Sequence, residues 1–120
     1  MTERLGPDLL RGSLDLMVLS VLARGSTYGY QLQQSLRDAS RDLVQVSAGT
    51  LYPVLHRLED DGLIRSSWDE STGRRRKWYE MTASGRRRLQ SQALEWDSYV
   101  RCIQSLLQPL RGGFAAPPGG

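Results

Sequence analysis

Cysteine and histidine are almost absent from this 120-residue sequence, which contains one of each, Cys102 and His56. A single cysteine cannot form a disulfide within the chain, and together these two residues are too few for a structural zinc site. No motif for nucleophilic catalysis surrounds His56, and no glycine-rich loop is placed to cradle a phosphate. Disulfide scaffolds and metal sensors are therefore excluded, and we expect no metal, no cofactor and no enzymatic activity.

Long apolar runs are also missing. The longest apolar stretches, such as residues 14–23, are interrupted by Asp15 and Ser20, and they are too short to cross a bilayer. The first six residues include Glu3 and Arg4 and have no apolar segment of the kind that a secretory signal needs. We therefore expect a cytoplasmic protein without a membrane partner.

Positive charge is present, and it is concentrated in one segment. The whole chain has a net charge of +3, whereas residues 65–88 contain eight basic residues against three acidic ones. The excess in this segment is larger than the net charge of the chain, so the remainder is slightly negative. A basic segment of this kind favours a polyanionic partner.

Helical periodicity predicts two helices in the first third of the chain. The first runs over residues 8–23, from about Asp8 to Ala23. The second has Tyr28, Leu32 and Leu36 along one side and ends near Ala39. Because a stripe of this spacing faces the interior, we expect Tyr28 to pack in the core.

A third helix is predicted between Ser47, the expected N-cap, and Gly62, whose permissive backbone suits a helix end. With this start, Pro53 lies inside the helix and should cause a local distortion. A start at Thr50 would instead place Pro53 among the first residues, which lack hydrogen-bond partners in any case. The buried stripe of this helix is predicted to be Leu51, Leu55 and Leu58.

After Gly62 the hydrophobic period changes to two, which predicts strands near residues 64–68 and 77–81 with a polar turn between them. Thr82 is the expected cap of a last helix, and Pro109 is its expected end. Apolar residues in this helix alternate four and three apart, which is the spacing of a seam between two packed helices. The seam consists of Leu89, Ala93, Trp96, Val100, Ile103 and Leu107.

The order of these elements predicts a mainly α fold with a small β-hairpin, namely a winged helix-turn-helix followed by a long C-terminal dimerisation helix. With 39% hydrophobic residues, the chain has enough apolar material for one modest core. We expect a DNA-binding domain over residues 1–81, a dimerisation helix over 82–108 and a disordered tail over 109–120.

Several motifs occur in the order and at the spacing of one family. They are YGYQL at 28–32, GTLYPVLHRLE at 49–59, GLI at 62–64, GRRRKWY at 73–79 and MTASG at 81–85. Together they resemble the PadR-like transcriptional regulators over roughly residues 10–107, and the short last helix resembles the small subgroup of that family. The resemblance implies a homodimeric winged-helix repressor. Its recognition helix and wing would bind an operator in double-stranded DNA, and its last helix would dimerise.

The third helix would enter the major groove while the basic hairpin follows the phosphates. Gly49, Thr50 and Tyr52 are expected to form the groove-facing surface. The complete set of predicted DNA-binding residues is Ser47, Gly49, Thr50, Tyr52, Pro53 and Arg57 in the third helix, with Arg74, Arg75, Arg76 and Lys77 in the wing.

Other interpretations stay open for several of these residues. Tyr52 is alternatively a half-buried core aromatic, and residues 74–77 are alternatively a solvated turn. The basic run at residues 86–88 fits either a solvated face or a nearby polyanion. A protein-interaction module that uses its basic wing against an acidic partner is the main alternative function.

Trp96 lies in the middle of the predicted seam, where its large ring fits either an interface core or a gap between two subunits. In some small PadR-like repressors, tryptophans at such a place stack on flat apolar compounds. The resemblance therefore implies a possible aromatic effector that binds at Trp96.

Overall fold

The computed structural model of the chain describes residues 12–115, which form four helices and three strands. In chain order, the elements are α1 (Leu14–Leu22), β1 (Thr27–Tyr28), α2 (Gly29–Ala39), α3 (Ala48–Asp60), β2 (Ile64–Asp69), β3 (Arg76–Met81) and α4 (Ala83–Ala115). The predicted class, mainly helical with a β-hairpin and a long last helix, is confirmed. The chain divides into two units, of which the first ends at Leu89 and the second begins at Gln90. Within residues 12–115, no helix combines the length and the apolar character needed to span a membrane.

The core of the first unit lies between the three short helices and the sheet. Each helix buries one apolar side and leaves its polar side exposed, as amphipathic periodicity requires. Half-buried residues at the edge of this core include Met17, Met81 and Leu89. The buried apolar residues are Leu14, Val18, Leu19, Val21, Leu22, Leu32, Leu36, Val44, Leu51, Val54, Leu55, Leu58, Leu63, Ile64 and Tyr79.

Helix α3 begins and ends as the sequence predicts. The Ser47 hydroxyl accepts a hydrogen bond of 3.3 Å from the Thr50 N–H, so Ser47 is the N-cap, Pro53 lies inside the helix, and the alternative start at Thr50 is wrong. At the other end Gly62 has a φ of +74°. The next amide, Leu63 N–H, donates to the Leu58 carbonyl at 2.9 Å. This pairing is a Schellman end, which favours glycine because the left-handed conformation penalises a Cβ.

The hairpin of β2 and β3 confirms the two predicted strands, with Ile64 opposite Met81 at one end and Asp69 opposite Arg76 at the other. A third strand, β1, pairs with the other edge of β3 and was not predicted. The expectation that Tyr28 lies on a helix face in the core is wrong, because Tyr28 belongs to β1 and is only half-buried.

The start of α4 is built against the end of α3. The Thr82 hydroxyl accepts the Gly85 N–H at 3.0 Å and donates to the Gly62 carbonyl at 2.7 Å, so Thr82 caps α4 as predicted. A Cβ at Gly85 would overlap the Leu63 carbonyl group, with its carbon 2.9 Å away. Only glycine permits this close approach of two backbones.

Of the predicted helix ends, one is wrong and another lies outside the described residues. Residues 12 and 13 form a turn and α1 begins at Leu14, whereas the predicted start at Asp8 lies outside the described residues. Helix α4 does not end at Pro109 but continues to Ala115. A proline removes one backbone hydrogen bond and strains a helix without obliging the chain to leave it. The rest of the predicted disordered tail, residues 116–120, lies outside the described range.

Candidate nucleic-acid interface

The first half of α3 presents an exposed surface of small residues. Ala48, Gly49 and Thr50 are exposed, as are Ser47 before them and Pro53 after them. The opposite side of the helix is locked into the core by its buried leucines and Val54. Small side chains allow another molecule to approach the helix closely, as a DNA groove does.

Tyr52 is an exposed residue of α3 whose ring also packs against the start of another helix. Its side chain is 42% exposed, so it is available at the surface. Its ring also lies against Gly29, the first residue of α2, where an added Cβ would be 2.9 Å from the Tyr52 Cζ atom. Glycine at position 29 therefore lets the tyrosine of α3 rest on the start of α2.

Arg57 is held differently from the other predicted residues of α3. Its Nη2 atom donates to the Oδ1 atom of Asp15 in α1, and both side chains are at least partly exposed. His56 is also exposed, and its Nε2 atom lies 3.4 Å from the Asp60 carboxylate. Arg57 thus already has an ion-pair partner within the protein.

The wing is the hairpin of β2 and β3, residues 64–81. It carries four consecutive basic residues that run from its turn into β3. A polar turn precedes them, closed by the Gly73 N–H donating to the Glu70 carbonyl, and Gly73 has a φ of +82°. Of the basic residues, only Lys77 is half-buried. The four residues are Arg74, Arg75, Arg76 and Lys77.

Two of the wing arginines lie over aromatic rings. The guanidinium carbon of Arg75 is 4.2 Å from the centroid of the Trp68 ring. The corresponding atom of Arg76 is 5.1 Å from the centroid of the Tyr28 ring. Such cation–π contacts hold a guanidinium in place while its N–H groups stay available. Arg74 has no ion pair or ring contact with the residues the structure describes.

A tyrosine–aspartate contact joins the end of β2 to β1, immediately before α2. The Tyr28 hydroxyl donates to the Oδ2 atom of Asp69 at the end of β2. This bond, together with the Ser71 N–H, lowers the pKa of Asp69 to about 2, and the same bond raises the pKa of Tyr28. The edge of the Tyr28 ring also meets Trp78, with 4.7 Å between the ring centroids.

Glu59 makes a second link between helix and wing. One of its carboxylate oxygens accepts a 2.5 Å hydrogen bond from Ser66 in β2, and the other lies 3.9 Å from the Lys77 amine in β3. Burial raises the pKa of nearby Tyr79 to about 12, with smaller contributions from Tyr52 and Glu59. The wing is therefore attached by polar contacts to Tyr28, immediately before α2, and to Glu59 of α3.

A cleft of about 790 Å³ lies between the start of α2, Tyr52 of α3 and the wing. All four wing cations line it, and so do Trp68 and Tyr79. The structure thus brings Tyr52 and the predicted wing residues together. The cleft combines positive charge with flat rings, which suits a phosphate-bearing partner.

Trp68 and Tyr28 are two members of this cleft that sequence reasoning missed. Trp68 was assigned only to a strand, and Tyr28 was assigned to the core. The hairpin register places Trp68 directly opposite Lys77. A basic segment that pairs with a strand ending in an aromatic residue is therefore the signal that would have found Trp68.

The second unit, taken alone, is the continuation of α4 with a broad apolar side. Of the predicted seam, Val100 and Ile103 are exposed, Ala93 is exposed, and Trp96 and Leu107 are half-buried. Leu89 differs, because it belongs to the first unit and packs against that core. Further exposed apolar residues widen this side of the helix: Tyr99, Leu106 and Leu110.

Comparisons with known proteins agree on one family. The model of the transcriptional regulator PadR-like family matches residues 18–91. A transcriptional regulator from Mycobacterium tuberculosis is 38% identical over 106 residues, which are 88% of this chain and 90% of that protein. The crystal structure of a PadR family regulator from Eggerthella lenta is 39% identical with a TM-score of 0.75, covering 83% of this chain and 86% of that one. The structure of a transcriptional regulator from Clostridium thermocellum is 33% identical with a TM-score of 0.77, covering 82% and 96% respectively.

Proposed function

Because the chain belongs to the PadR-like family of transcriptional regulators, which bind DNA and are not enzymes, we propose that it is a repressor that binds an inverted-repeat operator as a homodimer. Two copies related by a two-fold axis would place their recognition helices in successive major grooves, about one helical turn apart. Such a regulator must share a compartment with its DNA, and the proposal therefore retains the cytoplasmic location.

Within each half-site, α3 would read the bases. Gly49 and Thr50 would permit close contact with the groove, and Tyr52 would supply a larger surface for discrimination. Ser47 and Pro53 would border that surface. Arg57 would contribute only if a phosphate replaced its present partner, Asp15.

The wing would contact the phosphate backbone of the DNA, because arginine and lysine side chains neutralise phosphates and release counterions. The observation that carries this proposal is the single cleft in which Tyr52 and the four wing cations meet. Tyr52, proposed to read bases, and the wing cations, proposed to bind phosphates, therefore line the same concave site. An acidic protein partner could also pair with the wing cations. That alternative does not explain why the exposed residues at the start of α3 are small.

The apolar side of α4 would pair with the same helix of a second copy. Val100 and Ile103 are 42% and 38% exposed, which is a large exposure for side chains of this type within a continuous stripe. A partner helix would remove this surface from water. Leu106 and Leu110 would extend the interface beyond the seam predicted from the sequence.

An aromatic effector would bind at Trp96 in this proposal. The Trp96 ring meets Tyr99 edge to face, with 5.2 Å between the centroids, so each α4 carries a preformed aromatic pair. Flat apolar compounds stack on such rings. A ligand that binds better to one arrangement of the dimer would lower operator affinity by favouring that arrangement. The check is to titrate flat aromatic compounds and compare the fluorescence quench in the native chain and in Trp96→Ala.

Selection of preferred sites from random DNA duplexes with the purified chain is the test of the main proposal. We expect an inverted repeat to be enriched. Tyr52→Ala should erode discrimination between this site and its variants, whereas Tyr52→Phe keeps the ring on Gly29 and should retain most of it. Enrichment of no sequence, together with binding to acidic proteins, would favour the interaction-module alternative and contradict the proposal.

A further inference from the structure

Trp68 is an exposed tryptophan without a role in the core or in the seam of α4. It lies near the end of β2, opposite Lys77 in the hairpin, and its side chain is 54% exposed. Large aromatic rings at this degree of exposure are typical of binding surfaces. Its ring also lines the cleft described above, beside the wing cations.

The Trp68 ring has one close cationic neighbour. The Arg75 guanidinium lies 4.2 Å from its centroid, whereas the Lys77 amine is 5.8 Å away. Arg75 also lies near Glu70, with 3.6 Å between Nε and the carboxylate oxygen. Both partners of that pair are well exposed, so the ion pair is weak and a phosphate can replace Glu70. The ring would remain beneath the guanidinium after such an exchange.

Stacking has a specific consequence for an arginine. A flat guanidinium on a ring keeps its N–H groups around its edge, in the geometry that binds two phosphate oxygens at once. A long side chain that is already ordered loses less conformational freedom when it binds. Arg74, which has no such contact with the described residues, must be ordered by the DNA itself.

From this geometry we propose that Trp68 is a positioning residue of the wing, which orders the Arg75 guanidinium for a phosphate contact and acts on DNA affinity through Arg75. The proposal rests on the DNA-binding function proposed above. It assigns Trp68 no direct contact with DNA. It distinguishes Arg75, which like Arg76 lies over a ring before binding, from Arg74, which lies over no ring among the described residues.

A double-mutant cycle on the selected duplex tests this assignment. The variants are Trp68→Leu, Arg75→Ala and the two combined, with Trp68→Phe as the conservative control. Because exposed cation–π contacts have modest strength and a dimer uses two wings, Trp68→Leu should weaken binding about tenfold. In the Arg75→Ala background, the same change should have less than about a twofold effect. Trp68→Phe should retain most of the affinity, since it keeps a ring beneath Arg75.

The salt dependence of binding supplies an independent measurement. Trp68→Leu leaves every cation in place, so the slope of log affinity against log salt should stay near that of the native chain. Arg75→Ala should reduce that slope. An equal loss from Trp68→Leu in both backgrounds would overturn the proposal, because the ring would then contact DNA or support the fold independently of Arg75. No loss in either background would overturn it too. If the native chain bound no duplex, the proposed function itself would fail, and the positioning role with it.

Discussion

The two units of this chain treat their apolar residues in opposite ways. In the first unit, three helices and a sheet enclose them, and residues such as Val18, Leu32 and Leu51 have no exposed surface at all. In the second unit, a single helix leaves Tyr99 57% and Leu106 67% exposed. A domain with its own core can use its surface for charge, whereas one helix cannot bury a stripe without a partner. The contrast fits the proposal that the first unit binds DNA and that the second pairs with the same helix of another copy.

A charge placed on the apolar side of α4 should have the largest effect. Ile103→Asp would put two carboxylates into the proposed dimer interface. Each unpaired charge costs about 2 kcal/mol or more, so the dimer dissociation constant should rise on the order of 1,000-fold. Sedimentation at micromolar concentration measures this as conversion of a dimer into a monomer.

Leu94→Asp is the matched control. Leu94 lies nine residues before Ile103 and is 70% exposed, and about two and a half helical turns place it on the opposite side of α4. The same chemical change at this position should leave the dimer intact. Equal effects of the two substitutions, or a native chain that sediments as a monomer, would contradict the assigned interface.

Alanine substitutions at two glycines compare the stability of a tightly packed position with that of an exposed one. Gly85→Ala should destabilise the first unit by about 1–3 kcal/mol, because the new Cβ has no space against the Leu63 carbonyl. Gly49→Ala should stabilise it by about 0.5–1 kcal/mol, because the new Cβ meets nothing closer than the Ser47 hydroxyl at 3.9 Å. Urea unfolding of both variants measures the difference. Stabilisation by Gly85→Ala would contradict the close approach at Gly85. Destabilisation by Gly49→Ala would contradict the open space at Gly49.

Removal of one exposed arginine from each unit tests where DNA binds. Arg74→Ala should flatten the slope of log affinity against log salt by about one unit per phosphate contact, hence about two for a dimer. Arg101→Ala, which removes an exposed charge from α4, should leave the slope unchanged. A change in slope for Arg101→Ala but not for Arg74→Ala would mean that α4, and not the wing, contacts the DNA phosphates.

The link between Tyr28 and Asp69 should give the smallest effect, visible as a pH dependence. The pKa of Asp69 is about 2 in the folded chain, below its value near 4 in an unfolded chain. Its contribution to stability is therefore complete above about pH 4 and is lost as the pH falls toward 2. Tyr28→Phe should lower the urea midpoint at neutral pH and converge with the native chain in acid. A difference that persisted in full below pH 3 would exclude the hydrogen bond as its cause.

Local signals explain why most of the fold was predictable from the sequence. Ser47 and Gly62 mark the ends of α3 through chemistry that involves only neighbouring residues. The change of period after Gly62 identifies the hairpin in the same way. Strand β1 was missed because two residues cannot show a period, and the continuation of α4 past Pro109 depends on how much strain that helix tolerates.

The candidate site was predictable where it depends on composition and not where it depends on contacts between distant residues. The wing cations are evident as a charge run. The contact of Arg57 with Asp15 joins residues 42 positions apart, and the contact of Tyr28 with Asp69 joins residues 41 apart. No local pattern encodes such pairs, because they arise only when the helices and the sheet have packed.

The proposed roles of the two units are tested most directly by the salt dependence of DNA binding. The measurement compares the native chain with Ile103→Asp on the selected inverted repeat. If the first unit makes the phosphate contacts and the second doubles them by pairing two chains, the variant should bind with about half the native slope. An unchanged slope with a monomeric variant would mean that one chain makes all the phosphate contacts, and it would contradict the account.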